Sequence, residues 1–386
     1  MLFNLSLSGC QKLLHGPLGG TAPHGRHMHV YLAGIYWGMY TVHERPDDNF
    51  AAAYYHGGDN REYVGVKHSG NTAVTAPSSI ATGEFIRMTN LLDRDLRVRG
   101  NFEAAAARLD LEDFAKYMIV NYYCGNTDWD HHNWYASYNR MQPGAKWHFH
   151  SWDAEHVLKS ASADETGTNH ANKPSGLHNQ LMTSPEYRLI FSDLVRREFF
   201  NRGNLTPGVV RTHYLRRLGT INEAVRAESA RWGDNKRLGQ PYLRGNEWLA
   251  ERSRLLGSYF PNRTGTVLNQ FRARGWYPAT DAPNFDRYGG RVAIGHQLSI
   301  TSPAGGTIYY TLDGRDPRQA FTGSAAGTPY SGPLALESTA TVKARTRSDG
   351  GEWSALTEAL FVVGAVEADQ TNLVISEIHY RPASPT

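Results

Sequence analysis

The sequence predicts an α+β fold in which a large domain of helices and short strands precedes a small antiparallel β-sandwich. Apolar residues recur three or four positions apart in 85–92, 111–122 and 187–199, a spacing typical of amphipathic helices. After position 289 the apolar runs become short and alternating, and Gly, Pro and Asp turns separate them, which indicates strands. The Pro-marked stretch 279–288 lies between the two patterns and predicts a linker.

The composition indicates a globular chain and argues against several classes of function. Of the 386 residues, 40% are hydrophobic and 20% are charged, which is enough apolar material for a core. The net charge of +3 is small and Lys and Arg are scattered, so no nucleic-acid partner is predicted. The two cysteines, Cys10 and Cys124, do not make a disulfide framework. The longest apolar run, 359–366, is too short for a transmembrane segment.

The large domain is predicted to contain two β-hairpins and several helices between and after them. The runs HVYL and YWGMYTV, joined by Ala33 and Gly34, predict the first hairpin. Asp110 is placed to cap the helix over 111–122, because its carboxylate can accept from the free amides of the first turn. The runs NWYASYN and KWHFHSW, with a turn at 142–144 between them, predict the second hairpin.

Two oxygen-rich turns flank the second hairpin and carry the candidate chemistry. Asp128 and Asn133 lie five residues apart before the hairpin, and Asp153 and Glu155 follow it. Carboxylate and amide oxygens, completed by phosphates and water, are the ligands that Mg²⁺ prefers. In protein kinases a catalytic Asp, an Asn five residues later and a further metal-binding Asp stand in this order. The spacing therefore predicts a site for Mg²⁺ and a nucleoside triphosphate.

Several segments of the large domain resemble one known family. GNTDWDHHNWY and KWHFHSWDAEHVL are similar to the CotH kinase family, the atypical protein kinases first named from spore-coat proteins. HVYLAGIYWGMYTVHERPDDNFAA, TSPEYRLIFSDLVRREFFN and ESARWGD also resemble it. The resemblance implies an atypical protein-kinase-like fold for 26–278 and the use of ATP and Mg²⁺. It further implies phosphoryl transfer to serine or threonine hydroxyls of a secreted or surface protein.

The resemblance also implies a role for each residue of the two turns. Asp128 would orient or deprotonate the acceptor hydroxyl. Asn133 and Asp153 would hold Mg²⁺, and Asp153 would also contact the phosphates of the nucleotide. Glu155 is expected to be an additional metal ligand, and Asp130 an outer ligand. For both of these acids a solvated or helix-capping role is the alternative.

The first hairpin resembles the last strands of a kinase N-terminal lobe, where the chain enters the hinge that contacts adenine. Glu44 is therefore a candidate nucleotide contact, or else an exposed charge after an edge strand. The family pattern also implies a lysine upstream that grips the phosphates. Only 28 residues precede His29, Lys12 has no strand context, and Lys67 comes after the hinge. We expect the N-terminal lobe to be largely missing from this chain and its activity to be impaired.

The C-terminal part is predicted to contain a sandwich and the start of another domain. Residues 289–364 have the strand pattern of an immunoglobulin-like or fibronectin-III-like sandwich. YYTLDGRDPR, YSGPLAL and VKARTRSDGGEWS resemble the C-terminal domain of chitobiase and β-hexosaminidase, which implies a spacer or a module near surface carbohydrate. NLVISEIHYRP, within 365–386, is similar to the opening strand of a lamin-tail-like domain. The resemblance to these two domains implies an extracytoplasmic or cell-surface location. At the other end of the chain, residues 1–25 are expected to be a poorly ordered lead-in.

Two other functions stay open on the sequence. Alternation in a strand would place two histidines of the second hairpin on one face, where they and the loop histidines could bind Zn²⁺ or Mn²⁺ with Asp128 or Asp153 in a hydrolase. The histidines concerned are His131, His132, His148 and His150. The third hypothesis is a non-catalytic binding or structural protein of the cell surface that uses a kinase-like scaffold.

Overall fold

The computed structural model describes residues 18, 20–55, 58–68, 72–73, 75, 77–153, 155–303, 305–369 and 371–373. Most of the lead-in predicted at 1–25 lies outside the described residues, and so does most of the lamin-tail-like start predicted at 365–386. The described chain mixes helices and strands in its first part and is rich in strands after Asn284, which is consistent with the α+β prediction. The kinase-like character of that fold stays a prediction.

Helices belong to the large domain, and short strands occur in both parts of the described chain. The helices are α1 Asp48–Tyr54, α2 Ser78–Leu92, α3 Arg99–Ala106, α4 Leu111–Cys124, α5 Pro174–Leu181, α6 Pro185–Phe199, α7 Pro207–Gly219, α8 Ala224–Trp232, α9 Leu249–Arg254 and α10 Phe260–Ala273. The strands of the large domain are β1 Gly25–Leu32, β2 Ile35–His43, β3 Tyr63–Lys67, β4 Thr72–Ala73, β5 Trp134–Asn139 and β6 His148–Ser151. Those of the C-terminal part are β7 Asn284–Phe285, β8 Gly290–Val292, β9 His296–Leu298, β10 Ile300–Thr301, β11 Thr307–Thr311, β12 Thr328–Pro329, β13 Leu334–Leu336, β14 Ala340–Arg347 and β15 Thr357–Val363.

The first predicted hairpin is confirmed as the antiparallel pair β1 and β2. Ala33 and Gly34 make its turn with φ of 50° and 79°, the positive pair that matches the twist of a two-residue hairpin loop. The hairpin rests on α8, where Trp232 Nε1 donates to the Trp37 carbonyl and the Glu228 carboxylate accepts from Met39 N. These contacts, together with the bond from Arg231 Nε to the Tyr36 carbonyl, tie ESARWGD to the first hairpin.

The second predicted hairpin, β5 and β6, is confirmed and belongs to a four-stranded sheet in the order β4-β3-β5-β6. The strand β3, which the sequence did not predict, pairs antiparallel with β5 so that Lys67 lies opposite Tyr135. Phe85 of α2 contacts the rings of Trp134 and Phe149 on the apolar face of this sheet. The sheet thereby fixes the start of β5, immediately after Asn133, against the main core.

The helix α4 runs through the core and ends where the candidate site begins. The Asp110 carboxylate accepts from Asp113 N at 3.0 Å, so the predicted N-cap is confirmed. Gly125 ends the helix with φ of 56°, and a Cβ there would meet Ala163 at 3.0 Å and the Arg263 guanidinium at 3.3 Å. Glycine is required at this position both for its left-handed backbone and for this close approach.

Later helices form the remainder of the large domain. The helix predicted over 187–199 is confirmed as α6. The π-helical turn Arg244–Trp248 leads into α9, and a second π-helical turn, Leu255–Tyr259, joins α9 to α10, so helical structure is continuous from 244 to 273. Within the described residues, no helix combines the length and apolar character that crossing a membrane would require.

The C-terminal strands form a five-stranded sheet in the order β12-β11-β14-β15-β8, together with the pairs β13-β9 and β10-β7. The core of this region includes the buried side chains of Leu298, Val342 and Phe361. Phe285 is also buried there, because β7 pairs with β10. The structured part of the sandwich therefore begins at Asn284, within the stretch predicted as a linker.

The sandwich packs on α6 through buried charged side chains. Asp193 accepts two hydrogen bonds from the Arg345 guanidinium, at 2.8 and 2.6 Å, and Asp316 of the sandwich accepts two more. Glu186 accepts two from Arg318, at 2.9 and 2.7 Å. The side chain of Arg345 is 2% exposed, so the large domain supplies half of the counter-charge of a buried cation in the sandwich.

Candidate functional site

The residue Asn133 joins the two oxygen-rich turns. Its Nδ2 donates to Asp128 Oδ2 at 3.0 Å, to the Asp128 carbonyl at 3.1 Å and to the Asp153 carbonyl at 3.2 Å. Asn133 is buried and has φ of 64°, a left-handed conformation that Asn tolerates better than most residues. Asp128, Asn133 and the backbone of Asp153 therefore lie together, and these bonds use the nitrogen of the Asn133 amide rather than its oxygen.

The side chains after β6 supply two carboxyl groups. Asp153 is exposed and adopts a φ of 46°, and the Glu155 carboxyl lies within hydrogen-bonding reach of it. Burial and this bond to Asp153 raise the pKa of Glu155 above its ordinary value. Two carboxyl groups that compete for a proton form an oxygen-donor pair that a hard divalent cation would stabilise. The donor set of Asp153, Glu155 and Asn133 thus fits Mg²⁺.

Asp130 points into the protein, so it is not a solvated acid, and its contacts fit the helix-capping alternative. It is 0% exposed and accepts from His170 Nδ1 at 2.6 Å, from Ser175 Oγ at 3.1 Å and from the Ser175 backbone amide. That amide belongs to the first turn of α5, where helices favour negative charge. Asp130 thus fastens the loop between α4 and β5, residues 126–133, to α5, while the Asp128 side chain is 25% exposed.

Two histidines of the loop face the carboxylate of Asp128. His132 Nε2 lies 3.0 Å and His131 Nε2 3.6 Å from Asp128 Oδ1, and the two ring centroids are 3.8 Å apart. Burial and the neighbouring His132 lower the pKa of His131. The ring of His68, at the end of β3, lies 6.4 Å from that of His132. The surroundings of Asp128 Oδ1 are therefore rich in imidazole.

The four-histidine metal set of the hydrolase hypothesis does not assemble. His148 and His150 do face the same side of β6, since their ring centroids lie 4.2 and 5.7 Å from the ring centroid of Tyr55. His148 Nδ1 is bonded to Asp113 at 3.0 Å, and the fully buried His150 lies 3.1 Å from Ser137 Oγ. Among the described residues, the group that could hold a metal ion through His, Cys, Asp or Glu contains Asp128 and the two loop histidines.

The carboxylate of Glu44 is bonded within the segment that carries it. It accepts from His24 N at 2.8 Å and from the Tyr54 hydroxyl at 2.9 Å. Burial by itself would raise the pKa of Glu44, but the bonds from His24 and Tyr54 lower it. A nucleotide contact at Glu44 stays a prediction. The preceding residue, His43, packs on Trp152 at 4.9 Å, so the end of β2 lies beside the residue that precedes Asp153.

Two lysines approach the loop, and the sequence did not predict either approach. Lys173 Nζ donates to the His131 carbonyl at 3.2 Å. Lys67 is the last residue of β3 and pairs with Tyr135, which lies two positions after Asn133. Burial lowers the pKa of His68, and the charge of Lys67 lowers it further by a smaller amount. Chain order alone places Lys67 after the hinge and gives no reason to expect it at the site. The pairing of β3 with β5 is what brings Lys67 to the loop.

Comparison with known protein families gives two matches. The family described as CotH kinase protein matches residues 10–256. The family described as Chitobiase/beta-hexosaminidase C-terminal domain matches residues 288–358. No curated protein matches the chain. The first match spans more than half of the chain and includes the loop, β5, β6 and the acids that follow them.

Proposed function

The chain belongs to the CotH kinase protein family, and from this premise we propose that it transfers a phosphoryl group from ATP to a serine or threonine hydroxyl of a protein. The observation that carries the proposal is the Asn133 amide nitrogen, whose two N–H groups are shared among the Asp128 carboxylate, the Asp128 carbonyl and the Asp153 carbonyl. Phosphoryl transfer requires mainly positioning and charge stabilisation, so a rigid arrangement of these groups is the relevant feature.

We assign the binding of Mg²⁺ to Asp153, with Asn133 and Glu155 as further ligands. Asp153 is exposed at the end of β6, and the second carboxyl group beside it adds negative charge. Bound Mg²⁺ would neutralise charge on the phosphates of ATP. Asn133 precedes β5 and Asp153 follows β6, so both lie at the open end of the β5–β6 hairpin. Their left-handed backbone turns both residues out of regular strand geometry.

We assign to Asp128 the positioning of the acceptor hydroxyl and the removal of its proton. Its Oδ2 accepts from the Asn133 amide, which fixes the carboxylate, and its side chain is 25% exposed, which leaves access for a substrate. Lys67 and Lys173 approach the same loop and would favour the negative charge of the phosphates. The contact of His43 with Trp152 supports a hinge next to this site.

We place the phosphorylated protein, and this protein with it, outside the cytoplasm or on the cell surface. The support is the spore-coat origin of the family description and the presence of a chitobiase-type C-terminal domain. Protease treatment of intact cells that express the full protein tests the location. Protection of the protein until the cells are lysed would contradict it.

Transfer of radiolabelled phosphate from ATP to a Ser-rich peptide, with Mg²⁺ present, tests the catalytic assignment. We expect Asp128→Asn to lower turnover by about 100-fold or more, because general base catalysis and alignment of the hydroxyl are both lost. Asp349→Asn, an exposed change in the sandwich, is the matched control and should leave turnover unchanged. Wild-type turnover by Asp128→Asn would contradict the assignment. Absence of transfer by the wild type would favour the non-catalytic scaffold.

A further inference from the structure

Three potential ligand atoms on the loop meet at one point. Asp128 Oδ1, His131 Nε2 and His132 Nε2 lie within 4.8 Å of one another, and the carboxylate oxygen is 3.6 and 3.0 Å from the two nitrogens. Ligand atoms around a tetrahedral zinc-class ion, with bonds of about 2.1 Å, lie roughly 3.4 Å apart. The distances from the carboxylate oxygen to the two nitrogens bracket that value, so one ion could be bound with only small movements of these side chains.

The loop is held in the conformation that presents these atoms. Asp130, between Asp128 and the histidines, is fully buried and bonded to His170 and to Ser175. Lys173 fixes the loop from outside through the His131 carbonyl. His131 and His132 are 47% and 41% exposed, which lets an ion enter from solvent and leaves room for water as a fourth ligand. The loop backbone is therefore held in place by hydrogen bonds, and the imidazole rings stay accessible to solvent.

The chemistry of this cluster differs from that of the proposed magnesium ligands. Imidazole nitrogen suits zinc, copper, nickel and cobalt, whereas Mg²⁺ prefers oxygen alone. Asp128 connects the two groups through different atoms, since its Oδ2 accepts from Asn133, a proposed magnesium ligand, and its Oδ1 faces the histidines. We propose that Asp128, His131 and His132 form a site for a zinc-class divalent ion and that this ion inhibits the reaction by occupying Asp128.

The inhibition follows from what the ion would remove. An ion on Asp128 Oδ1 draws on the electron pairs that would accept the proton of the substrate hydroxyl. It also places positive charge where that hydroxyl must approach. The inhibitory effect rests on the proposed function, whereas the binding of the ion does not depend on it.

Titration of the metal-free full chain with Co²⁺ tests the binding site without any activity. Co²⁺ is a spectroscopic probe whose visible absorption is strong in tetrahedral sites. We expect the wild type to give this absorption, with Zn²⁺ displacing it, and His132→Gln and His131→Gln each to weaken binding by at least tenfold. His29→Gln, an exposed change on the first hairpin, is the matched control and should bind as the wild type does. No absorption in the wild type, or undiminished binding in both loop variants, would overturn the site.

The inhibitory effect is tested in the peptide assay at millimolar Mg²⁺ with micromolar Zn²⁺ added. We expect Zn²⁺ to suppress wild-type transfer and to require at least tenfold higher concentrations in any loop variant that retains transfer. Undiminished wild-type transfer at a Zn²⁺ concentration that displaces Co²⁺ would overturn the inhibitory effect. Absence of wild-type transfer without Zn²⁺ would contradict the proposed function, and the Co²⁺ titration would still decide the metal site.

Discussion

At the scale of single residues, the site depends on short polar side chains in unusual backbone conformations. Asn133 and Asp153 have φ of 64° and 46°, in the left-handed region that costs most residues about 1 kcal/mol or more. Asn and Asp tolerate it because their side chains can bond locally, as Asn133 does with Asp128. Substitution by a β-branched residue at either position would remove both the ligand and this tolerance.

The buried histidine His178 predicts a pH-dependent stability. Burial lowers its pKa to about 3, and its ring packs on Phe191 and Trp276 while Nδ1 lies 3.1 Å from the Tyr187 hydroxyl. The unfolded chain binds a proton on this residue below about pH 6.5 and the folded chain does not, so stability falls as the pH decreases from 6.5 toward 3. The expected contribution is at most about 1.4 kcal/mol per pH unit.

Denaturant unfolding of the wild type and of His178→Gln between pH 7 and pH 5 measures this contribution. The variant should be less stable at pH 7, because its amide replaces a packed ring, but it should lose less stability on acidification. The exposed His29→Gln variant should keep the wild-type pH dependence. Equal slopes for His178→Gln and the wild type would show that another group is responsible.

Residue types and spacing predicted which residues of the two turns lie together, but they could not predict contacts between distant segments. The five-residue spacing of Asp128 and Asn133 and the position of Asp153 gave the correct neighbours. The inward direction of Asp130 depends on Ser175, which lies 45 residues later. The separation of His148 from Asp128 likewise depends on the hydrogen bond of His148 with Asp113 of α4. Sequence patterns indicate local periodicity, whereas the directions of the Asp130 and His148 side chains depend on tertiary contacts.

At the scale of elements, the end of α4 is held by a buried arginine. Arg263 of α10 is 0% exposed and donates to the carbonyls of Tyr122 and Tyr123 in the last turn of α4. It also donates to the carbonyls of Ala161 and Ala163, at 2.8 and 2.7 Å. A cation at a helix C-terminus is favoured by the helix dipole, and its N–H groups donate to carbonyls of the last turn. The loop of the site starts at this point.

We expect Arg263→Leu to lower the free energy of unfolding by about 3 kcal/mol, because buried carbonyl groups would lose charged donors. The matched control is Arg272→Leu on the same helix, whose guanidinium is 41% exposed and forms an ion pair with Asp281 at 3.2 Å. That variant should lose less than about 1 kcal/mol. Thermal and denaturant unfolding give both values, and similar losses in the two variants would contradict the role of Arg263.

Element prediction succeeded where apolar or aromatic residues recur with a clear period and failed at β3, where they do not. The helices α4 and α6 show repeated apolar positions, and both hairpins have alternating aromatic runs. In the strand β3, YVGVK, four successive residues are buried and one of them is a glycine, so buried and exposed positions do not alternate. Its pairing with β5 is therefore a tertiary property, and so is the approach of Lys67 to the loop.

At the scale of the whole molecule, the large domain and the sandwich share a charged interface. The Arg345 guanidinium, 2% exposed, lies between Asp193 of α6 and Asp316 of the sandwich. Removal of one member of a buried ion pair leaves the other charges unpaired, which typically costs about 3–5 kcal/mol. We expect Arg345→Met to destabilise the protein by about 3 kcal/mol and to make the sandwich sensitive to protease.

The matched control is Arg315→Met in the same sandwich. Arg315 is 86% exposed and bonded to Asp313, so its loss should have little effect on unfolding. Limited proteolysis and denaturant unfolding of both variants compare the two sites. A protease pattern for Arg345→Met like that of the wild type would mean that the interface contributes little to stability.

The central claim, that Asp153 binds the metal of a nucleotide complex while Asp128 acts on the acceptor, is tested most directly by calorimetric titration with ATP. The titration is made with and without Mg²⁺ on the wild type, Asp153→Asn and Asp128→Asn. We predict that Asp153→Asn abolishes the Mg²⁺-dependent part of ATP binding, because an amide cannot neutralise a cation that bridges phosphates. Asp128→Asn should bind Mg·ATP nearly as the wild type does, since its contribution is made in the transition state. Binding of Mg·ATP by Asp153→Asn with wild-type affinity would contradict the metal assignment and favour a scaffold without catalysis.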